Sequence, residues 1–234
     1  MRVAGASVAG PRHVRSGLPN EDAVDTHVWH DGAAIAVADG VGSVTHARAG
    51  AEAAARSAIQ VAGAWVEKSI DAERVPVLVH KQWQVLLAVP PAQAASTVCL
   101  VAVRSDGAWL AASIGDSLYY VMTESSTWMP PDESTFSDTT LALSDTFQAS
   151  HWATARGSAD DRLVAAVTVT DGIGHDVAPG RLPMLLDSVA AALRERGPQR
   201  ASAALKASLE RWNTPAHTDD KSIACLIMDG YTHA

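Results

Sequence analysis

Asp-Gly occurs five times in these 234 residues, and its position relative to the apolar runs constrains the fold more than any other feature. Between two β-like runs the dipeptide is a strong hairpin signal, because Gly accepts positive φ and Asp tolerates the turn conformation. DTHVWH and AAIAVA flank Asp31-Gly32, and TVCLVAVRS and AWLAASI flank Asp106-Gly107, so both pairs are expected to be antiparallel hairpins. SLYYVM is expected to extend the second hairpin into a meander. LVAAVTVT and SIACLIM are apolar enough to be central strands, and Asp229-Gly230 reads as a turn.

Four helical stretches separate the strands. ARAGAEAAARSAIQVAGAWVEK is Ala-rich, and DAERVPVLVHKQWQVLLAV carries Pro76 early, where a first helical turn tolerates it. RLPMLLDSVAAALRER and QRASAALKASLERW follow in tandem, split by the stop and restart signal Gly197-Pro198. Hairpins mixed with helix pairs predict an α+β fold in which helices cover antiparallel sheets. At 47% hydrophobic and 19% charged, the chain has ample material for a core, and one domain over 1–234 is expected. Thr123 to Asp161 is the least regular region, a surface excursion bracketed by Trp128 and Trp152.

The charge balance, 18 Lys+Arg against 26 Asp+Glu, argues against a nucleic-acid binder, whose footprint is basic. No run approaches the roughly 18 to 20 apolar residues of a spanning helix, and the N-terminus lacks the apolar centre of an export signal. Cys99 and Cys225 each sit within an apolar run and are expected to be buried free thiols. A cytoplasmic protein that binds neither nucleic acid nor membrane is the expectation.

Two of the Asp-Gly pairs do not behave as hairpin turns. Asp39-Gly40 and Asp171-Gly172 each end a very apolar strand and are followed by a second Gly and a helical stretch, in the near copies VADGVGS and VTDGIGH. Glu21-Asp22 precedes the first hairpin, Asp116 follows WLAASIG, and Asp219-Asp220 precedes SIACLIM. If the strands are neighbours, these carboxylates crowd one sheet edge. Like charges there repel and raise one another's pKa unless a cation intervenes. Oxygen donors without Cys or paired His suit Mg²⁺ or Mn²⁺ rather than zinc.

The segments GLPNEDA (17–23), VADGVGS (37–43), STVCLVAV (96–103), SIGDSLYY (113–120), VTDGIG (169–174) and TDDKSIACLIM (218–228) form an ordered series over nearly the whole chain. The series resembles the metal-dependent protein phosphatases of type 2C (the PPM family), above all their shorter bacterial branch. The resemblance implies a central sandwich of two antiparallel β-sheets flanked by helix pairs. It implies hydrolysis of phosphoserine and phosphothreonine by a water shared between two ions, Mg²⁺ or Mn²⁺, with a third ion as an addition. The partners it implies are a phosphorylated protein and its serine/threonine kinase, and a monomer is expected. Asp39 would bridge the two ions, with the Gly40 carbonyl on the second. Asp22 and Glu21 would lie on the second ion's side, directly or through water. Asp171 and Asp219 would hold the first; Asp219 stands three positions before Ser222, as the family pattern asks, and a register shift of one would select Asp220. Asp116 corresponds to the aspartate of the third site.

The chain departs from the family pattern in two places. The position of the phosphate-gripping arginine is Gly17 here; Arg15 is the expected substitute, with Arg12 the other candidate. Val41 stands where some members carry a His that protonates the leaving group, so the general acid is open. His13 and His46 are read as ordinary surface histidines. The departures leave room for a catalytically weak sensor or scaffold on the same fold. The other rival is a serine hydrolase, because Gly115-Asp116-Ser117-Leu118 spells a GDSL signature; it is mid-chain, and Asp229 and His233 are one residue too far apart.

Overall fold

The computed structural model describes residues 1–130, 141–177, 179–212 and 218–231. The strands are β1 (Arg2–Val8), β2 (Asp22–Trp29), β3 (Gly32–Asp39), β4 (Val98–Arg104), β5 (Trp109–Ile114), β6 (Leu118–Thr123), β7 (Thr127–Trp128), β8 (Ala153–Gly157), β9 (Leu163–Val169) and β10 (Lys221–Ile227). The helices are α1 (Pro11–Ser16), α2 (Ala47–Val66), α3 (Val75–Leu86), α4 (Asp171–Gly174), α5 (Leu182–Arg196) and α6 (Pro198–Glu210). Two five-stranded antiparallel sheets result, ordered β1-β10-β9-β6-β7 and β2-β3-β4-β5-β8.

Strand alternation explains why the strands read as unbroken apolar runs: both faces are covered. On β3, Ala34, Ala36 and Ala38 pack with α2 and α3, while Ala33, Ile35 and Val37 join the layer between the sheets. On β10, Ile223, Cys225 and Ile227 face α5 and α6, and Ala224 and Leu226 face the other sheet. The Ala-rich face of α2 (Ala51, Ala54, Ala58, Ala62, all fully buried) allows the helix a close approach to the alanines of β3. Trp83 of α3 is fully buried and donates its indole N–H to the Gly50 carbonyl at 3.2 Å, tying the two helices together. Cys99 and Cys225 are buried free thiols, as expected. Among the described residues no helix is long and apolar enough to cross a membrane.

Several expectations shift in detail. The first hairpin turns at His30 and Asp31, and Gly32 already pairs with Trp29. SLYYVM does not extend the second hairpin: β6 pairs with β9 and β7 in the other sheet. The cause is the short connection at Gly115, whose positive φ of 98° turns the chain across the sandwich and leaves Asp116 between the sheets' ends. The small residues of RVAGASV give a weak β signal, yet they form β1, an edge strand under α6. Within the irregular region β7 and β8 are short strands, and residues 131–140 lie outside the described residues.

Candidate functional site

The acids converge at one end of the sandwich. In the antiparallel pairing of β2 with β3, Asp22 stands directly opposite Asp39. The Asp39 backbone is pinned by three bonds: its carbonyl accepts from Thr97 N–H at 2.8 Å and Ser96 Oγ at 2.9 Å, and its N–H donates to Thr97 Oγ1 at 3.1 Å. Thr97 Oγ1 also contacts Ser117 Oγ at 3.2 Å, so a hydroxyl chain runs from Asp39 to the neighbour of Asp116. From the other sheet, β9 ends and α4 begins at Asp171, beside the entry to β10 at Asp219 and Asp220. A Cβ on Gly172 would lie 1.8 Å from the Asp220 carbonyl oxygen, so only glycine permits this approach of α4 to β10.

One carboxylate oxygen from each of Asp39, Asp116 and Asp171 lies within 4.8 Å of the other two. Asp22 is buried next to them. Thr170 Oγ1 donates to Asp22 Oδ2 at 2.8 Å and itself accepts from Ser222 N–H at 3.0 Å, linking the two sheets. Burial, then repulsion from Asp22, Asp171 and Asp116, pushes the Asp39 carboxyl up to about 10. Burial also raises Asp22 to about 7 against the Thr170 and Ser222 hydrogen bonds. Asp171 rises to about 6 through burial and the charges of Asp116 and Asp219. Among the described residues no Lys or Arg forms an ion pair with Asp22, Asp39 or Asp171; His175 Nδ1 approaches Asp171 at 4.0 Å. The chain thus holds hard oxygen donors together against their repulsion, a donor set that fits Mg²⁺ or Mn²⁺.

The structure brings together Asp22, Asp39, Asp116 and Asp171, with Asp219 close enough to perturb Asp171. Gly40 follows Asp39 into a bridge with Ser96, its N–H bonded to the Glu21 carbonyl at 3.1 Å. Asp220 is occupied otherwise. It is 3% exposed and accepts the backbone N–H groups of Gly10 and Glu21, each at 2.6 Å, together with His13 Nδ1. His13 is therefore not a surface histidine: it is 4% exposed. His46 is half-buried, at the start of α2. Arg15 is exposed on α1. Arg12 is exposed too, but its Nη2 lies 3.3 Å from His13 Nε2 and 3.6 Å from the Cβ position of Gly42, which is 3.8 Å from Glu21 Oε2. Thr97 and Thr170 escape a sequence reading, because hydroxyls carry no spacing signal, and the sequence does not show that His13 and Ser117 are buried.

Ser117 of the GDSL tetrapeptide is 2% exposed and engaged with Thr97, whereas Asp229 pairs with the terminal amine beyond the far end of β10. His233 lies outside the described residues.

Residues 9–211 match the family model described as protein phosphatase 2C. No curated protein matches the chain by sequence. Among solved structures, the photosystem II phosphatase PBCP is similar at 14% identity, covering 98% of this chain and 99% of its own, with a TM-score of 0.62. RsbX in complex with magnesium aligns at 15% identity over 97% and 94% of the two chains, with a TM-score of 0.59. The catalytic domain of the serine/threonine protein phosphatase PstP, in complex with two manganese ions, aligns at 16% identity over 96% of each chain, with a TM-score of 0.57. Such identities speak for the fold, and the family-model match extends over most of the sequence. The two helix-covered antiparallel sheets, with aspartates gathered where the sheets meet, are thus those of a member of the protein phosphatase 2C family.

Proposed function

We propose that the chain is a metal-dependent serine/threonine protein phosphatase acting on phosphoserine and phosphothreonine in a phosphorylated protein partner. The observation that carries this reading is the convergence of one carboxylate oxygen from each of Asp39, Asp116 and Asp171 within 4.8 Å, beside the buried Asp22. Asp39 and Asp171, with Asp219, would hold one Mg²⁺ or Mn²⁺; Asp39, the Gly40 carbonyl, and Asp22 or Glu21 would hold a second. Asp116, the most exposed of the triad, would serve a third. Bound there, such ions supply Lewis acidity, lowering the pKa of water towards neutrality and offsetting charge that develops on phosphoryl oxygens.

The chain's own residues have three tasks. The carboxylates orient the site and must stay ionised to do so. The Ser96 hydroxyl on the Asp39 carbonyl, the Thr97–Ser117 hydroxyl pair and the Thr170 hydrogen bond keep them from relaxing apart. For the phosphate itself, the geometry favours Arg12 over Arg15: the Arg12 guanidinium lies beside His13 and Gly42, and its planar fork matches two phosphoryl oxygens. A covalent nucleophile is not needed. Ser117 is buried and engaged, and burial pushes both Cys99 and Cys225 thiols up, away from thiolate.

Hydrolysis of phosphoserine and phosphothreonine peptides before and after chelation tests the proposal. Activity should vanish in chelator and return with Mn²⁺ or Mg²⁺. Full turnover in excess chelator, or no turnover with either ion, would overturn it.

A further inference from the structure

We infer that Asp220 and His13 form a positioning clamp that holds Arg12 and Glu21 at the mouth of the site, an inference resting on the phosphatase reading above. The Asp220 oxygens are taken up by protein donors: Gly10 N–H on Oδ1, Glu21 N–H on Oδ2, and His13 Nδ1 at 2.9 and 2.8 Å from the two. These donors come from both ends of the segment 10–21, so one buried carboxylate closes that segment, with α1 inside it, into a loop. A Cβ on Gly10 would lie 2.1 Å from the Asp219 carbonyl oxygen, and Arg12 N–H donates to Thr218 O at 3.2 Å. The loop's backbone is thus seated directly against the entry to β10.

Donor and acceptor arithmetic extends the clamp to a side chain. Two of the groups on Asp220 are backbone N–H donors, so its oxygens accept, and His13 must present Nδ1–H to them. On the other side of the ring, Nε2 lies 3.3 Å from Arg12 Nη2, and a guanidinium only donates. Nε2 must then be the bare, accepting nitrogen. The tautomer with Nδ1–H satisfies both neighbours, and the opposite tautomer satisfies neither. Glu21 Oε2, 3.6 Å from Nε2, is beyond hydrogen-bond range, so the ring's acceptor belongs to Arg12. An exposed arginine otherwise loses many rotamers on gripping a ligand. Here a fixed acceptor, anchored on a buried carboxylate, restricts it beforehand, while the same carboxylate fixes the backbone of Glu21.

Asp220 and His13 act through Arg12 and Glu21, so they are positioning residues, and their test must separate positioning from folding. Kinetics on one phosphothreonine peptide with Mn²⁺ should be measured for Arg12→Ala, His13→Gln and the double variant. The expected result is a KM raised about tenfold or more by Arg12→Ala and about tenfold by His13→Gln, with kcat within about threefold of wild type. The double variant should be no worse than Arg12→Ala, since the histidine has no other route to the phosphate. Effects that multiply, or a His13→Gln loss confined to kcat, would overturn the clamp. Nitrogen-15 NMR of the wild-type histidines supplies a readout independent of turnover and of any variant's folding. His13 should be the neutral Nδ1–H tautomer, and finding Nε2–H would overturn the proposal. If the wild type hydrolyses no phosphopeptide, the function proposed above fails, and the tautomer alone decides the clamp.

Discussion

The two ends of the sandwich carry the same dipeptide and treat it in opposite ways. At one end Asp31, Asp106 and Asp229 lie in turns or just beyond a strand, each beside a cationic or ionisable partner: His30 at 2.6 Å, Lys68 at 3.8 Å and the terminal amine at 2.7 Å. The amine's hydrogen bond and charge hold Asp229 below the usual carboxylate range. At the other end Asp39 and Asp171 precede glycines that sit against neighbouring backbone, among further acids, and both carboxyls are pushed up. The residue type is the same. What separates a turn acid from a site acid is burial and the sign of the nearest charge.

The largest break in this contrast should come from Asp39→Asn. It removes the carboxylate proposed to serve two ions, and a loss of several kcal/mol of transition-state stabilisation corresponds to roughly a thousandfold in kcat/KM. Without metal the same variant should melt higher than wild type near neutral pH, because an amide needs no proton uptake to be buried there, whereas burial and the neighbouring charges keep the Asp39 carboxyl from ionising. Paired kinetics and chelated thermal melts check both signs; a lower metal-free melting temperature would show that Asp39 is not strained by its neighbours.

A second effect concerns pH. Asp22, Asp39 and Asp171 bind protons more tightly in the folded chain than in the unfolded one, so the folded state holds more protons between the two pKa values. Stability of the metal-free protein should therefore fall as pH rises from about 4 through 6 and 7, where Asp171 and Asp22 ionise, and on towards 10 for Asp39. Saturating Mn²⁺ should restore stability increasingly over the same window and release protons on binding. Thermal melts from pH 5 to 9 with chelator and with Mn²⁺ would show this as a widening gap; parallel curves would count against the site.

Asp116→Ala should be milder, slowing turnover about tenfold while calorimetry still shows the two tighter ions. Smallest of all should be Asp31→Asn and Asp229→Asn at the far end. Exposed pairs contribute little, so activity within about twofold and melting temperatures within about 2 °C of wild type are expected. A large effect at Asp31 would erase the distinction between the two ends.

The sequence is informative where periodicity or punctuation is strong. The long Ala-rich α2, the Gly197-Pro198 break and the near-copied strand-ending Asp-Gly motifs all lie where the chain implies. Less legible are elements whose residues are small or polar, such as RVAGASV and ATARG, because neighbouring strands rather than their own propensity make them β. The crossing of β6 to the other sheet depends on one glycine at positive φ, which local pattern cannot distinguish from a hairpin. His13 is the clearest misreading: taken for a surface histidine, it is buried against Asp220, far away in sequence, and a lone histidine says nothing of that.

The acids of the site are divided between the layers. Asp22 and Asp39 belong to one sheet, Asp171 and Asp219 adjoin the other, and Asp116 sits in the connection that crosses between them. Neither layer owns the site. A sheet folded alone would carry half a constellation, and sliding one sheet past the other by a single residue, about 3.4 Å, would pull the halves apart while leaving every strand intact. Under the proposed function, cation affinity would therefore be a gauge of registry between the two layers, and it would detect a misaligned core before any measure of secondary structure did.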